Sequence, residues 1–438
     1  MWPSIDVIVM AHSNNLEKIF TIFPGGNLHD IRLKLDGIKN LQLSGRDELV
    51  AHSDLGSVLF TAPVAFQYIN LERVYVDASY SLIDSQTYGF KVANYDPRFP
   101  LIIDPLIAST FLGGHDYDLA FDIERDSSGN LYVTGETLSP NFPTITGSYN
   151  VTMGGEFDVF VSKFNSNLSN LTASTFIGGS SDDIGFALTL GNSGNVYVTG
   201  ETESGNFPTT AGAYDTGHNG NFDVFVSKLN SNLSNLTAST FVGGSTYDTG
   251  NDVKVDSDGM VYIVGDTNST GYPTTTGAYD PSYNGNPADA FVSKLNSNLS
   301  TLSASTFVGG SGNDIGNSIT FGGSTVSVII TGKTNSTNYP TSSGAYDTSA
   351  NGGLDGFVTK LATDLSAISS STLVGGSNTD VPTRVVLDSS GNIYITGHTG
   401  SSNYPTTSGA FDTSHAGGGE VFVSKFSNSL SSLYNSTF

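Results

Sequence analysis

Four residues after each of five double glycines stands an aspartate: Asp118, Asp183, Asp248, Asp314 and Asp380. Carboxylates gathered into a ring would suit Ca²⁺, a hard cation that takes several oxygen ligands. A structural calcium ion is the one cofactor this pattern admits. The same residues suit a plainer task, each accepting a bond from a nearby backbone amide and fixing its turn. Symmetric copies lie too far apart to share an ion unless they reach a central channel, and that favours the turn. The sequence Gly309-Gly-Ser-Gly-Asn-Asp314 resembles the start of a Ca²⁺-binding nonapeptide, but the tandem nine-residue repetition that such sites need is absent.

A second recurring set is aromatic. Tyr214, Tyr279, Tyr346 and Phe411 each precede an aspartate in a long loop, with Tyr149 before Asn150 in the first copy. Rings beside Asp and Asn suit stacking on sugars, as in a lectin. They equally suit filling the wedge between neighbouring repeats, and a ring kept in every copy fits packing better than a single pocket. The seven histidines (His12, His29, His52, His115, His218, His398, His415) follow neither the repeat nor a metal spacing. With Ser and Asp everywhere, no catalytic constellation separates from background. No enzyme is expected.

Nine Asn-x-Ser/Thr sequons occur, at Asn150, Asn167, Asn170, Asn232, Asn235, Asn268, Asn298, Asn335 and Asn435. That count is about what the composition gives by chance, so it establishes no modification. Five of them fall in Asn-Ser-Asn-Leu-Ser hairpins, which should project from an outer rim and make them glycosylation candidates in an exported protein.

The elements that carry these residues repeat with a fixed period. The stretch from Asp158 to Gly179 returns at 223–244 and 289–310, with looser copies at 355–376 and 420–438. Its lysine stands at Lys163, Lys228, Lys294, Lys360 and Lys425, spaced by 65, 66, 66 and 65 residues. Each unit reads as four short strands, two hairpins and one loop of about twenty residues. Four antiparallel strands repeated radially make a propeller blade. The expectation is an all-β chain: a five-bladed β-propeller of four-stranded repeats of about 65 residues, preceded by a small all-β domain. The domain boundary is expected at 105/106. The units run over about 115–177, 180–242, 245–308, 311–374 and 377–438, with an extra strand at 106–114. That sixth Ser-Thr-Phe copy either clasps the ring shut or pairs with a neighbouring molecule.

Residues 1–104 lack the repeat and read as seven or eight strands, closed by a proline-rich connector from Tyr95 to Pro105. Net charge is −24, of which −4 falls in residues 1–104 (8 basic, 12 acidic) and −20 in the rest (9 basic, 29 acidic). Such a surface repels nucleic acid and anionic membranes. There are no cysteines, which removes disulfides and thiolate metal sites. No run reaches membrane-spanning length. Residues Met1–Val7 lack the pattern of a signal peptide, so export information is expected upstream or by another route.

The repeat resembles the SBBP β-propeller repeat of large prokaryotic surface and secreted proteins. The likeness is carried by Ser109-Thr-Phe-Leu-Gly-Gly114, Asp388-Ser-Ser-Gly-Asn-Ile-Tyr-Ile-Thr-Gly397, Asn206-Phe-Pro-Thr-Thr210, Gly277-Ala-Tyr-Asp280 and Asp223-Val-Phe-Val-Ser-Lys-Leu229. Residues 1–104 resemble the β-rich domain that often precedes such repeats, through Ala62-Pro-Val-Ala-Phe-Gln67 and through Tyr95-Asp-Pro with Leu101-Ile-Ile-Asp-Pro105. The family's name implies seven blades, where five are visible. The resemblance implies a fold and an extracellular, cell-surface location, and no reaction. The function expected is a non-enzymatic structural subunit of a filament, sheath or stalk that self-associates as a homopolymer. The alternative is a glycan-binding adhesin that uses the long-loop face.

Overall fold

A computed structural model of the chain describes residues 3–12, 15–44, 48–53, 56–60, 62–69, 72–104, 110–166, 168–322 and 327–438. It divides into one unit over Met1–Phe111 and a second over Leu112–Ser166 and Asn170–Phe438.

Among the described residues the first unit holds eleven strands in three antiparallel sheets. The surplus over seven or eight comes from short strands such as Leu33–Lys34 and Asn40–Leu43, too brief to show alternation. Its core gathers Phe20, Leu49, Leu101 and Ile103, all fully buried, around the mutually packed rings of Tyr80, Tyr88 and Phe90. The connector does more than stiffen the chain. Its end, Leu101–Asp104, is a strand paired on both sides within the five-stranded sheet. Buried Gln67 explains why the two sequence signatures of this domain travel together. Its Nε2 donates to the carbonyls of Asp96 and Phe99 at 2.8 and 3.0 Å, and its Oε1 accepts from the Asp96 amide at 2.8 Å.

The second unit is a five-bladed β-propeller, each blade a four-stranded antiparallel sheet in sequential order. The first blade comprises Asp118–Arg125, Leu131–Thr137, Asp158–Phe164 and Leu171–Ile177, numbered here from the axis outward. Alternation drives the strands together, and rings from the long loops complete each blade. Phe142, Phe207, Tyr272, Tyr339 and Tyr404 lie on Phe160, Phe225, Phe291, Phe357 and Phe422, with centroids 4.3–4.7 Å apart. In the first, third and fifth blades the hairpin between inner and second strands is closed by an aspartate, Asp126, Asp256 or Asp388. Asp126, for example, accepts from the amides of Ser128 and Asn130 at 2.9 and 2.8 Å.

The fifth blade completes itself with Leu433–Thr437 from its own repeat. Of the extra strand expected at 106–114, residues 106–109 lie outside the described residues. Residues 110–114 form no strand, and the Phe111 side chain is fully exposed.

Every inner strand bulges at the same place. Pairing with the second strand slips between Ala120 and Asp122, and likewise at Gly185/Ala187, Gly250/Asp252, Gly316/Ser318 and Pro382/Arg384. The second strand answers with a glycine, because a Cβ at Gly265 would stand 1.8 Å from the Thr249 carbonyl oxygen. That close approach is the physical content of the recurring Thr-Gly and Val-Gly steps.

Candidate functional site

The five aspartates after the double glycines are corner locks. Asp183 Oδ2 accepts from the Gly179 amide at 2.6 Å and from Ser204 Oγ at 2.9 Å, and its Oδ1 accepts from Thr202 Oγ1. Asp118, Asp248 and Asp380 accept from the matching glycine amide, threonine and serine; Asp314 accepts from Gly310 N and Ser336 Oγ. They do not converge: no cluster of three or more His, Asp or Glu side chains able to hold a metal ion exists among the described residues. A second acid at the start of the third strand in the first four blades, Asp158, Asp223, Asp289 and Asp355, lies across the blade boundary from the next corner aspartate. Burial lifts Asp183 to about 7, with the charge of Asp158 adding to it. Asp223 and Asp289 are raised to about 6, again mainly by burial.

The loop aromatics sit where one blade meets the next. The amides of Tyr149, Tyr214, Tyr279 and Tyr346 donate to the carbonyls of Leu233, Leu299, Leu365 and Leu430 in the following blade, at 2.8–2.9 Å. Each of those leucines is fully buried and holds a left-handed φ of +56 to +57°. The rings of Tyr214 and Tyr279 stay part-exposed at 36 and 37 %, and Tyr346 packs edge-on against Phe426.

The recurring lysines cross the same boundary. Lys163, Lys228, Lys294 and Lys360 donate Nζ to the carbonyls of Ser231, Ser297, Thr363 and Asn428 in the next blade's outer hairpin, at 2.8–3.1 Å. The first three also lie over the rings of Tyr132, Tyr197 and Tyr262 at 4.8–5.1 Å. Lys425, in the fifth blade, also lies over a ring, that of Tyr394 at 4.9 Å, but turns to Asp388 of its own blade at 3.3 Å.

A set of side chains that differs from blade to blade gathers at the axis. The five bulge residues are Phe121, Phe186, Asn251, Asn317 and Thr383, and all five line one cavity of about 270 Å³. Their neighbours tie blade to blade: Asp122 Oδ2 accepts from Leu188 N at 2.9 Å and Asp252 Oδ2 from Ile319 N at 3.0 Å. Lys254 reaches Glu124 at 3.2 Å across the axis. This set escaped sequence reasoning because a bulge leaves no mark in alternation. The signal available was negative, one of the inner-strand registers at which the repeats disagree.

Two family models match the chain. Residues 1–106 match a domain of unknown function, DUF7948, and residues 371–405 match the β-propeller repeat SBBP. One stretch, mostly of the fifth blade, is thus similar to the SBBP repeat. No curated protein matches it. Among solved structures, that of "Phage phi92 endosialidase" is similar at 11 % identity and a TM-score of 0.33, over 96 % of this chain. The chain spans 58 % of the length of that structure.

The blade repeats also show what an uncovered blade looks like. Val161, Val226, Val292 and Val358 are completely buried against Leu188, Val253, Ile319 and Val385 of the following blade. The fifth-blade equivalent, Val423, is 44 % exposed, with Val421 at 66 %. The first-blade equivalent of Leu188 is Ile123, at 58 %. Phe411, in the fifth-blade position of Tyr279, is exposed. Of the sequons, Asn170, Asn232, Asn235, Asn298, Asn335 and Asn435 are exposed, Asn150 and Asn268 are half-buried, and Asn167 lies outside the described residues. No helix is long and apolar enough to cross a membrane.

Proposed function

We propose that this chain is a non-enzymatic, extracellular structural subunit that self-associates head to tail, the fifth blade of one copy receiving the first blade of the next. One observation carries the reading. Val423 and Ile123 are exposed, whereas their four pairs of equivalents are buried against each other. The internal blade boundaries supply the template for the contact, so the occupant that fits is another blade of this repeat. Around Val423 the other halves of the boundary stand ready: the exposed ring of Phe411 and the ammonium of Lys425. A heterologous contact of this kind propagates into a filament when its rotation does not close. The acidic surface and the resemblance to surface-protein repeats support an extracellular place for such a polymer.

Sedimentation of the intact chain over a range of concentrations tests this. Wild type should associate, and Val423→Asp and Ile123→Asp variants should each remain monomeric. Mixing the two should restore a dimer and nothing larger, since each variant keeps one good face. A wild type that stays monomeric at all concentrations, or a mixture without dimer, overturns the proposal.

A further inference from the structure

A β-bulge re-aims the side chain of its extra residue. Here five bulges at one register turn five residues toward the axis, and the resulting cavity has two unlike walls. On one side Phe121 and Phe186 meet edge to face, with centroids 5.2 Å apart, and offer an apolar surface. On the other stand two cations, Lys333 and Arg384, in a molecule whose formal charge is −24.

Neither cation is fully satisfied by the fold, although Arg384 shares a long ion pair with Asp122. Arg384 donates through Nη1 to the neighbouring Thr383 carbonyl at 3.3 Å. Its Nη2 lies 3.9 Å from Asp122 Oδ1, beyond hydrogen-bond reach. Lys333 makes no hydrogen bond or ion pair among the described residues. Asn317 spends its Nδ2 on the Pro382 carbonyl at 2.7 Å, which leaves its carbonyl oxygen to accept from a ligand hydroxyl.

We propose that the axial cavity binds a small sugar acid, a pyranose ring carrying one carboxylate. Arg384 and Lys333 take the carboxylate by charge-assisted hydrogen bonds, for which a guanidinium fork is well shaped. The Phe121–Phe186 wall takes the apolar face of the ring, and Asn317 orients a hydroxyl. A monoanion fits better than a dianion such as phosphate, because Asp122 stands behind Arg384 and Asp266 attracts Lys333. The volume is near the lower end of the range for small-molecule pockets, which suits a single ring.

The test titrates the intact chain with glucuronate, glucose and inorganic phosphate, read by ligand-observed NMR. Glucuronate should saturate in the millimolar range, glucose should bind at least tenfold more weakly, and phosphate should not displace glucuronate. Arg384→Gln and Lys333→Gln should each weaken glucuronate at least tenfold with circular dichroism unchanged. Lys333 is part-exposed, so its variant carries the test if Arg384→Gln does not fold. Val423→Asp should bind as wild type does, which separates this site from the assembly face. No saturation up to ~10 mM, tenfold above a millimolar Kd, overturns the proposal. So does equal binding of glucose, or indifference to both cation variants.

Discussion

The amide of Tyr279 donates to the carbonyl of Leu365 in the next blade at 2.9 Å, and Leu365 keeps a φ of +57° with its side chain wholly buried. A leucine in the left-handed region costs about 1–2 kcal/mol. It is held there by the packing of its side chain between blades and by the bond to Tyr279. Leu365→Ala should lose about 2–5 kcal/mol to the cavity. Leu365→Gly should lose no more than Leu365→Ala, because glycine relieves the strain. At Val358, a fully buried position within a regular strand, Gly should be clearly worse than Ala. Chemical denaturation of the four variants measures this.

Lysines at one register should differ in worth according to what lies beyond their blade. Lys228→Met removes a 2.8 Å bond to the Ser297 carbonyl and a cation over Tyr197, and should cost about 1–2 kcal/mol. Lys425→Met also removes a cation over a ring, that of Tyr394, but its polar partner is Asp388 of its own blade and not a carbonyl of the next, so it should cost clearly less. Thermal melts of the two variants side by side give the comparison. Equal losses would mean that the lysines act within blades and not between them.

The glycine opposite the bulge has no room to grow. Gly265→Ala would press a methyl against the Thr249 carbonyl and the Phe291 ring. We expect it to destabilise by at least about 3 kcal/mol or to prevent accumulation of folded protein. Gly271→Ala, where a Cβ meets nothing within 4 Å, is the control and should change stability little. Soluble yield and melting temperature suffice as readouts.

Stability should rise on mild acidification. Burial raises Asp183 to about 7 and Asp223 and Asp289 to about 6, from an ordinary value of 3.8. The folded chain thus binds these protons more tightly than the unfolded one. The resulting stabilisation is complete below about pH 4 and is lost as pH climbs through about 6 to 7. Asp388, held near 2 by its bond from Asn392, runs the other way but is exposed and acts only below about pH 4. Melting should be higher at about pH 5 than at about pH 8, and Asp183→Asn should shrink the difference. A melting temperature that falls steadily over the same acidification would refute this account.

The sequence by itself determined the all-β class, the period, the four strands of each blade and the five-fold count. These follow from local alternation and turn chemistry, and every copy of the repeat states them again. It also placed Asp183 and its equivalents at a turn and made the loop rings candidates for packing. The tertiary structure decided everything that depends on which copy lies next to which. Lys228 finds Ser297 and Tyr279 finds Leu365 across more than sixty residues of chain, and no pattern within one repeat encodes that reach. The axial set was hidden for a related reason. A bulge shifts register by one residue, so Phe186 and Thr383 turn inward where strict alternation gives no warning. Exposure at Val423 and Ile123 was hidden too, since both read as ordinary core residues. Only their position in the first and last blades leaves them without the neighbour that buries every other copy.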